Sequence, residues 1–316
     1  MNKTKLLLSL IVVVMALNAC GSNDKKSDSN ESKSNLSKTS INALTAAADA
    51  SEKAKSYSFE ATSTISGKIA GQNINGSIKM NGSTSADGKT SVTNIDMSSL
   101  LSGFSSLLGS GGNYTMEQRV IDGVSYTRNP DLFGSGKEYW VKTDISQFLE
   151  AQQSQNPNQY LQYLKATSGD VKKVGKETVN GVETTHYKAT IKSNDIIKKF
   201  DSKEWKNFYN DQGVSDSDYE KIKSAYKKGI SDIPVDVWVG SDERPVKMKL
   251  KTNINVGAFT SGLTQDSKAA FDSEFEILFT NWGVDVKVEL PPADKIVTQK
   301  QYDAQVQQDM LSRLQS

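Results

Sequence analysis

From Tyr57 onward, apolar or small residues alternate with polar ones. In SYSFEATSTIS, Tyr57, Phe59, Ala61, Ser63 and Ile65 fall on one side of an extended segment, and Ser58, Glu60, Thr62 and Thr64 on the other. A period of two is the mark of a half-buried strand. It recurs in YTMEQRVI and VSYTR, in KKVGKETV and VETTHYKATI, and in IPVDVWVG, where Val235, Val237 and Val239 oppose Asp236 and Trp238. RPVKMKLKTNINV, FDSEFEILF and VDVKVEL continue it. Asp87-Gly88, Asp122-Gly123 and Asn180-Gly181 separate successive arms, and such dipeptides readily supply the two positive φ values of a type I′ hairpin. Three such signals predict a meandering antiparallel sheet.

The period changes to that of a helix in three places. The first runs from Ile41 to Lys55, with Leu44, Ala47, Ala48 and Ala54 near one face. A short pair from Ile145 to Ala166 is split at Pro157. A longer block spans Ile196 to Lys228, with Ile197, Phe200, Trp205, Phe208, Tyr209, Tyr219, Ile222 and Tyr226 facing inward. Asn210 to Gly213 interrupts it, and Asp216 or Ser217 is the expected cap of its last helix. Strands and helices in this order predict an α+β fold, a large curved antiparallel sheet over several helices, rather than alternating βαβ units. The polar faces of the strands are rich in Ser, Thr, Lys and Glu, so helices cover the other side. Between sheet and helices lies either a filled core or an apolar cavity.

Composition bounds the rest. From Gly21 to Ser40 the chain is Ser, Asn, Asp and Lys with a single large apolar residue, too polar to order itself. About 20 such residues make a tether with a reach of roughly 25 Å, and the expected folded domain covers residues 41–316. Before the tether stand Lys3 and Lys5, then an apolar run from Leu6 to Ala16. That run is too short for a comfortable membrane span and fits a secretory signal over residues 1–19. Leu17, Asn18, Ala19 and Cys20 resemble the lipobox of bacterial lipoproteins, which implies a diacylglycerol thioether on Cys20 as first residue of the mature chain. The expected location is the extracytoplasmic face of the cell membrane, held by that anchor. Cys20 is the only cysteine, so no disulfide forms within the chain. With 38 basic against 37 acidic residues the formal net charge is +1, which points to no nucleic-acid partner.

Catalytic chemistry finds little purchase. His186 is the single histidine, and in VETTHYKATI it shares a face with Thr184, Lys188 and Thr190, which places it toward solvent. No G-x-S-x-G, H-E-x-x-H or Walker A run occurs. Glu274 and Glu276 alternate with Phe275 and Ile277 as a solvated face does, and Asp216 with Asp218 lacks the rest of a calcium loop. No cofactor or metal is implied. Trp140, Trp205, Trp238 and Trp282 are scattered, as packing residues rather than a sugar platform would be.

Between the strands lies SSLLSGFSSLLGSGGN, where Leu100, Leu101, Phe104, Leu107 and Leu108 repeat at helical spacing among glycines. This is either a short helix completing the core or a lid that contacts lipid at a pocket mouth. The order YTMEQRVIDGVSYTR, KEYWVKTDIS, KKVGKETVNGVETTHYKATI and IPVDVWVGSDERPVKMKLK resembles the LppX/LprAFG group of lipoproteins within the LolA-like superfamily. The resemblance covers roughly Ile41 to Pro291, and the Ser/Thr/Gly-rich stretch from Gly82 to Thr93 departs from it. It implies a half-barrel sheet around helices and an apolar pocket for lipids or acylated glycolipids, carried or presented in the envelope with a protein partner. The alternative is a surface or sensory domain on the same scaffold that binds another protein and carries no lipid. Replacing Cys20 with Ala is expected to shift the protein from the detergent to the aqueous phase in Triton X-114 partitioning; retention in the detergent phase would contradict the lipid anchor.

Overall fold

In the computed structural model, residues 35–69, 72–102, 114–128, 137–145, 171–203, 206, 215–255 and 270–314 are described. The alternating segments become strands β1 (Ser56–Ile69), β2 (Gln72–Ser85), β3 (Thr90–Asp96), β4 (Thr115–Ile121), β5 (Val124–Arg128) and β6 (Trp140–Asp144). The second half supplies β7 (Lys172–Val179), β8 (Val182–Ile191), β9 (Ile233–Gly240), β10 (Pro245–Asn255), β11 (Ala270–Trp282) and β12 (Ile296–Thr298). They form one open sheet in the order β12-β6-β5-β4-β3-β2-β1-β11-β10-β9-β8-β7. Two antiparallel meanders thus meet at the β1–β11 pair, and β12 joins β6 in parallel. The expected α+β architecture with a large antiparallel sheet is what the chain builds.

Register lines up one row of side chains across eight strands: Tyr187, Val237, Met248, Ile277, Ala61, Met80, Ile95 and Met116. This row defines the inner face. Helix α1 (Asn35–Lys53) packs on its β1 and β8–β11 part through Leu44, Ala47 and Ala48, all at most 1% exposed. Small residues let the helix axis approach the strands, and each Val, Ile or Met buried beneath contributes roughly 1.5–3 kcal/mol. The helix begins six residues before the expected Ile41, with Ser40 already buried. It ends at Lys53, and Lys55 just beyond takes φ 62°, the left-handed position that glycine more often occupies.

Two hairpins carry the expected positive pairs, Asp122 (50°) with Gly123 (80°) and Asn180 (51°) with Gly181 (79°). The β2–β3 turn differs: only Gly88 has positive φ, and the Asp87 carboxylate accepts from the Lys89 N–H (3.0 Å) and the Ser85 hydroxyl (2.6 Å). A side chain there does what a second left-handed residue would do. Within the first meander, α2 (Ser98–Ser102) joins β3 to β4; within the second, α3 (Ser193–Ile197) with a 3₁₀ turn at Lys198–Asp201, and α4 (Asp216–Gly229), lie between β8 and β9. Ser215, rather than Asp216 or Ser217, caps α4, its hydroxyl accepting from the Asp218 N–H at 3.2 Å. Phe200, Tyr219 and Tyr226 pack as expected, and Tyr219 donates to the Phe200 carbonyl. Trp205, Phe208, Tyr209 and the helical pair after Ile145 lie outside the described residues.

The expected strand VDVKVEL forms no ladder with the described residues. Its alternation persists, with Val284, Val286 and Val288 half-buried and Asp285, Lys287 and Glu289 exposed, but β11 already has β1 and β10 on its two sides. The segment instead runs as a strap to the far edge, tied by the Ser56 hydroxyl to the Val284 carbonyl (2.6 Å) and by Arg119 Nη1 to the Glu289 carbonyl (2.9 Å). There it ends in β12 and α5 (Gln299–Leu314), two elements that the periodicity does not announce.

Gly76 and Gly82, both on β2, are required by contact with neighbouring backbone. A Cβ on Gly76 would lie 2.5 Å from the Leu100 Cα, because α2 rests on β2 there, whereas one on Gly175 would meet nothing within 4 Å. Gly76→Ala is expected to cost about 1–3 kcal/mol by overpacking, and Gly175→Ala to stay within about 0.5 kcal/mol. Urea denaturation of both variants checks this; equal costs would contradict it.

Candidate functional site

Beyond the ground covered by α1, the inner face continues across β2 to β6. Pairing places Ile78, Met80, Ile95 and Met116 in its apolar part. Thr84, Ser91, Thr93, Gln118, Ser125 and Thr127 line the neighbouring rows. Among the described residues no inner position of these five strands carries an ionisable side chain. The outer positions of the same strands hold Lys79, Asp96, Glu117, Arg119, Arg128 and Lys142. An apolar surface tolerates hydroxyls that find partners and rejects unpaired charge. Here Gln118 Nε2 donates to the Ser125 hydroxyl at 3.2 Å, with Thr127 Oγ1 3.5 Å from the same oxygen. Met80, Thr93, Met116, Gln118 and Thr127 are half-buried rather than sealed.

Helix α2 stands at the border of this surface, and its own sequence fixes its start. Asp96 Oδ1 accepts from the Ser98 N–H (2.8 Å), and the Ser77 N–H donates to Ser99 Oγ (3.2 Å), fastening the helix to β2. Leu100 and Leu101 are 6% and 2% exposed, seated against the strand over Gly76. Phe104, Leu107 and Leu108 lie outside the described residues, as do Leu17, Asn18, Ala19 and Cys20.

His186 does share a face with Thr184 and Lys188, the outer one, yet it is only 6% exposed, which corrects the expected solvent exposure. Trp238 of β9 stacks on its ring at 4.3 Å and 12°. Its Nδ1 lies 2.8 Å from Glu177 Oε1 on β7, and its Nε2 lies 2.6 Å from Asp236 Oδ1 on β9. Glu177 also accepts from the Trp238 indole N–H at 2.8 Å, and that bond, with the one to His186, holds its carboxyl below the ordinary carboxylate range. Trp140, in the same cross-strand row near the other edge, is 3% exposed beneath the Arg119 guanidinium at 4.6 Å. Each of these tryptophans is thus buried on the outer face under a polar or charged cover. Period-two reading places Glu177, His186, Asp236 and Trp238 on faces, but only register joins three strands into one cluster. Glu274 salt-bridges Lys249 (2.5 Å) and Lys251 (3.3 Å), and Glu276 salt-bridges Lys247 (2.8 Å). No set of three or more His, Cys, Asp or Glu among the described residues is arranged to hold a metal ion. No helix among them is long and apolar enough to cross a membrane.

The chain is similar to two mycobacterial proteins of known structure. One is the lipoprotein LppX of Mycobacterium tuberculosis, 15% identical, covering 80% of this chain and 99% of that one at a TM-score of 0.42. The other is LprF of Mycobacterium bovis, 14% identical, covering 82% and 99% at a TM-score of 0.45. Both bear names of the group that the order of sequence motifs resembles. Among curated proteins, an uncharacterized 31.2 kDa protein in the rplA-rplJ intergenic region of Streptomyces griseus is 25% identical over 209 residues. That match takes in 60% of this chain and 59% of that protein. No protein-family model matches the chain.

Leu101, nearly inaccessible between α2 and the sheet, is expected to cost about 2–5 kcal/mol when cut to Ala. The exposed Ser102→Ala is expected to stay within about 0.5 kcal/mol. Thermal and urea unfolding of the two variants separate them; a neutral Leu101→Ala would contradict the seating of α2.

Proposed function

We propose that this protein is a lipid-anchored, non-enzymatic envelope protein that holds a lipid or acylated glycolipid against the inner face of β2–β6. The observation that carries this reading is the lack of ionisable side chains among the described inner positions of that face, beside an outer face dense with them. Acyl chains gain from leaving water for the half-buried Met80 and Met116, backed by the buried Ile78 and Ile95. Methionine adapts to chains of irregular shape. Thr93, Gln118 and Thr127 offer neutral hydrogen-bonding groups to a head group with hydroxyls or esters. Leu100 and Leu101 hold one wall, and the lid role of Phe104, Leu107 and Leu108 belongs to the same proposal.

The anchor on Cys20 supports a location at the outer side of the membrane. A short tether lets the domain meet its own bilayer but not cross a wide envelope, so cargo is taken up there and handed to a protein partner. The one histidine supports a carrier rather than a catalyst, since both ring nitrogens are occupied by carboxylates on the face opposite the proposed site.

Native mass spectrometry of the chain from Gly21 onward tests the proposal. A bound lipid mass is expected, together with saturable uptake of a fluorescent fatty acid. Ile95→Glu, which sets a charge in the inner row, is expected to weaken uptake at least about tenfold. Absence of lipid and of uptake in a folded protein would overturn the reading.

A further inference from the structure

Strand β7 closes one end of the sheet and, among the described residues, is bonded on one side only. Burial holds it weakly: Lys172, Lys173 and Lys176 are exposed, Val174 is 51% exposed, and a register shift between Lys173 and Gly175 interrupts its ladder with β8. Its side-chain tie to the body of the sheet is Glu177, which reaches His186 of β8 and, beyond it, Trp238 of β9. We propose that His186 is a proton-operated latch that fastens edge strand β7 to the sheet when the ring is charged and loosens it when the ring is neutral.

The geometry demands two donors from one ring. Carboxylates only accept, and an imidazole has an N–H on both nitrogens only when protonated. The charged ring therefore hydrogen-bonds Glu177 and Asp236 at once. A neutral ring must set a lone pair against one carboxylate at under 3 Å, and the Trp238 stack keeps it from turning away. Asp236 has the shorter contact and the less exposed side chain, 21% against 45% for Glu177. Glu177 is thus the partner that swings into water. Other charges facing the cluster favour the same outcome. Lys188 of β8 lies 3.8 Å from Asp236, and Lys249 of β10 is its cross-strand partner, so Asp236 keeps counter-charges in either state. Lys247 of β10 sits over Trp238 at 5.1 Å.

The latch is fastened while the ring carries its second proton and is lost as rising pH removes it. Its acid limit is set by Glu177, whose carboxyl, held below the ordinary carboxylate range by the bonds from Trp238 and His186, stays charged through mildly acidic conditions. Release exposes the edge of β8 and the contact of α1 with β7, where Val171 enters the core.

Hydrogen exchange of β7 peptides, corrected for intrinsic rates, tests the proposal. Protection of β7 is expected to fall about fivefold or more between about pH 5.5 and pH 8 while β1 is unchanged. The sole histidine gives one unambiguous imidazole resonance, whose titration should track that loss. His186→Gln is expected to remove the pH dependence. Should that variant not fold, Glu177→Gln, at a more exposed position, must remove it instead. Constant β7 protection in the native chain, or an unaltered pH profile in a folded variant, would overturn the latch.

Discussion

The seating of α1 on the sheet is the contact on which the rest depends. Ala47 and Ala48 are fully buried and bring the helix backbone close to Ala61, Val237 and Met248. A twelve-stranded open sheet has two large faces, and an uncovered apolar face would aggregate rather than fold. By sealing the part of the inner face built from β1 and β8–β11, α1 converts it into a core. The remaining part of that face, on β2–β6, is then free to differ in chemistry. Its threonines, serines and glutamine beside a methionine and isoleucine row show that it has done so.

The outer face follows a different rule. Exposed ion pairs contribute little to stability, about 0–1 kcal/mol each, yet Lys247, Lys249 and Lys251 against Glu274 and Glu276 mark which face of β10 and β11 looks outward. A slip of one residue would drive this row into the core. Where large aromatics occur on that face they are covered, Trp140 by Arg119 and Trp238 by His186 and Lys247. The strap after β11 is a further consequence of closure at the centre. With both sides of β11 taken, the valines of VDVKVEL had no ladder to join.

The sheet was legible because period two survives in nearly every strand, and two of the three turn dipeptides adopt the paired positive φ expected of them. The Asp87-Gly88 turn escaped because an aspartate side chain satisfies backbone groups in more than one geometry. The helical cap fell one residue earlier than expected since Ser, Asp and Ser in succession are near-equivalent caps. Leu100 and Leu101 were legible as apolar, but the close approach that makes Gly76 necessary is a contact between segments and leaves no periodic trace.

By itself, then, the sequence determined strand periodicity, the antiparallel meander, the inward set Tyr57, Phe59, Ala61 and Ile65, and the expectation of an anchor at Cys20, because each is written within a few neighbouring residues. Tertiary structure decided what depends on register between distant strands. That includes the burial of His186 between Glu177 and Asp236, the passage of the strap to a parallel β12, and the charge-free inner face of β2–β6. A side chain's face is a local property, whereas its neighbours across the sheet are fixed only when the strands pair.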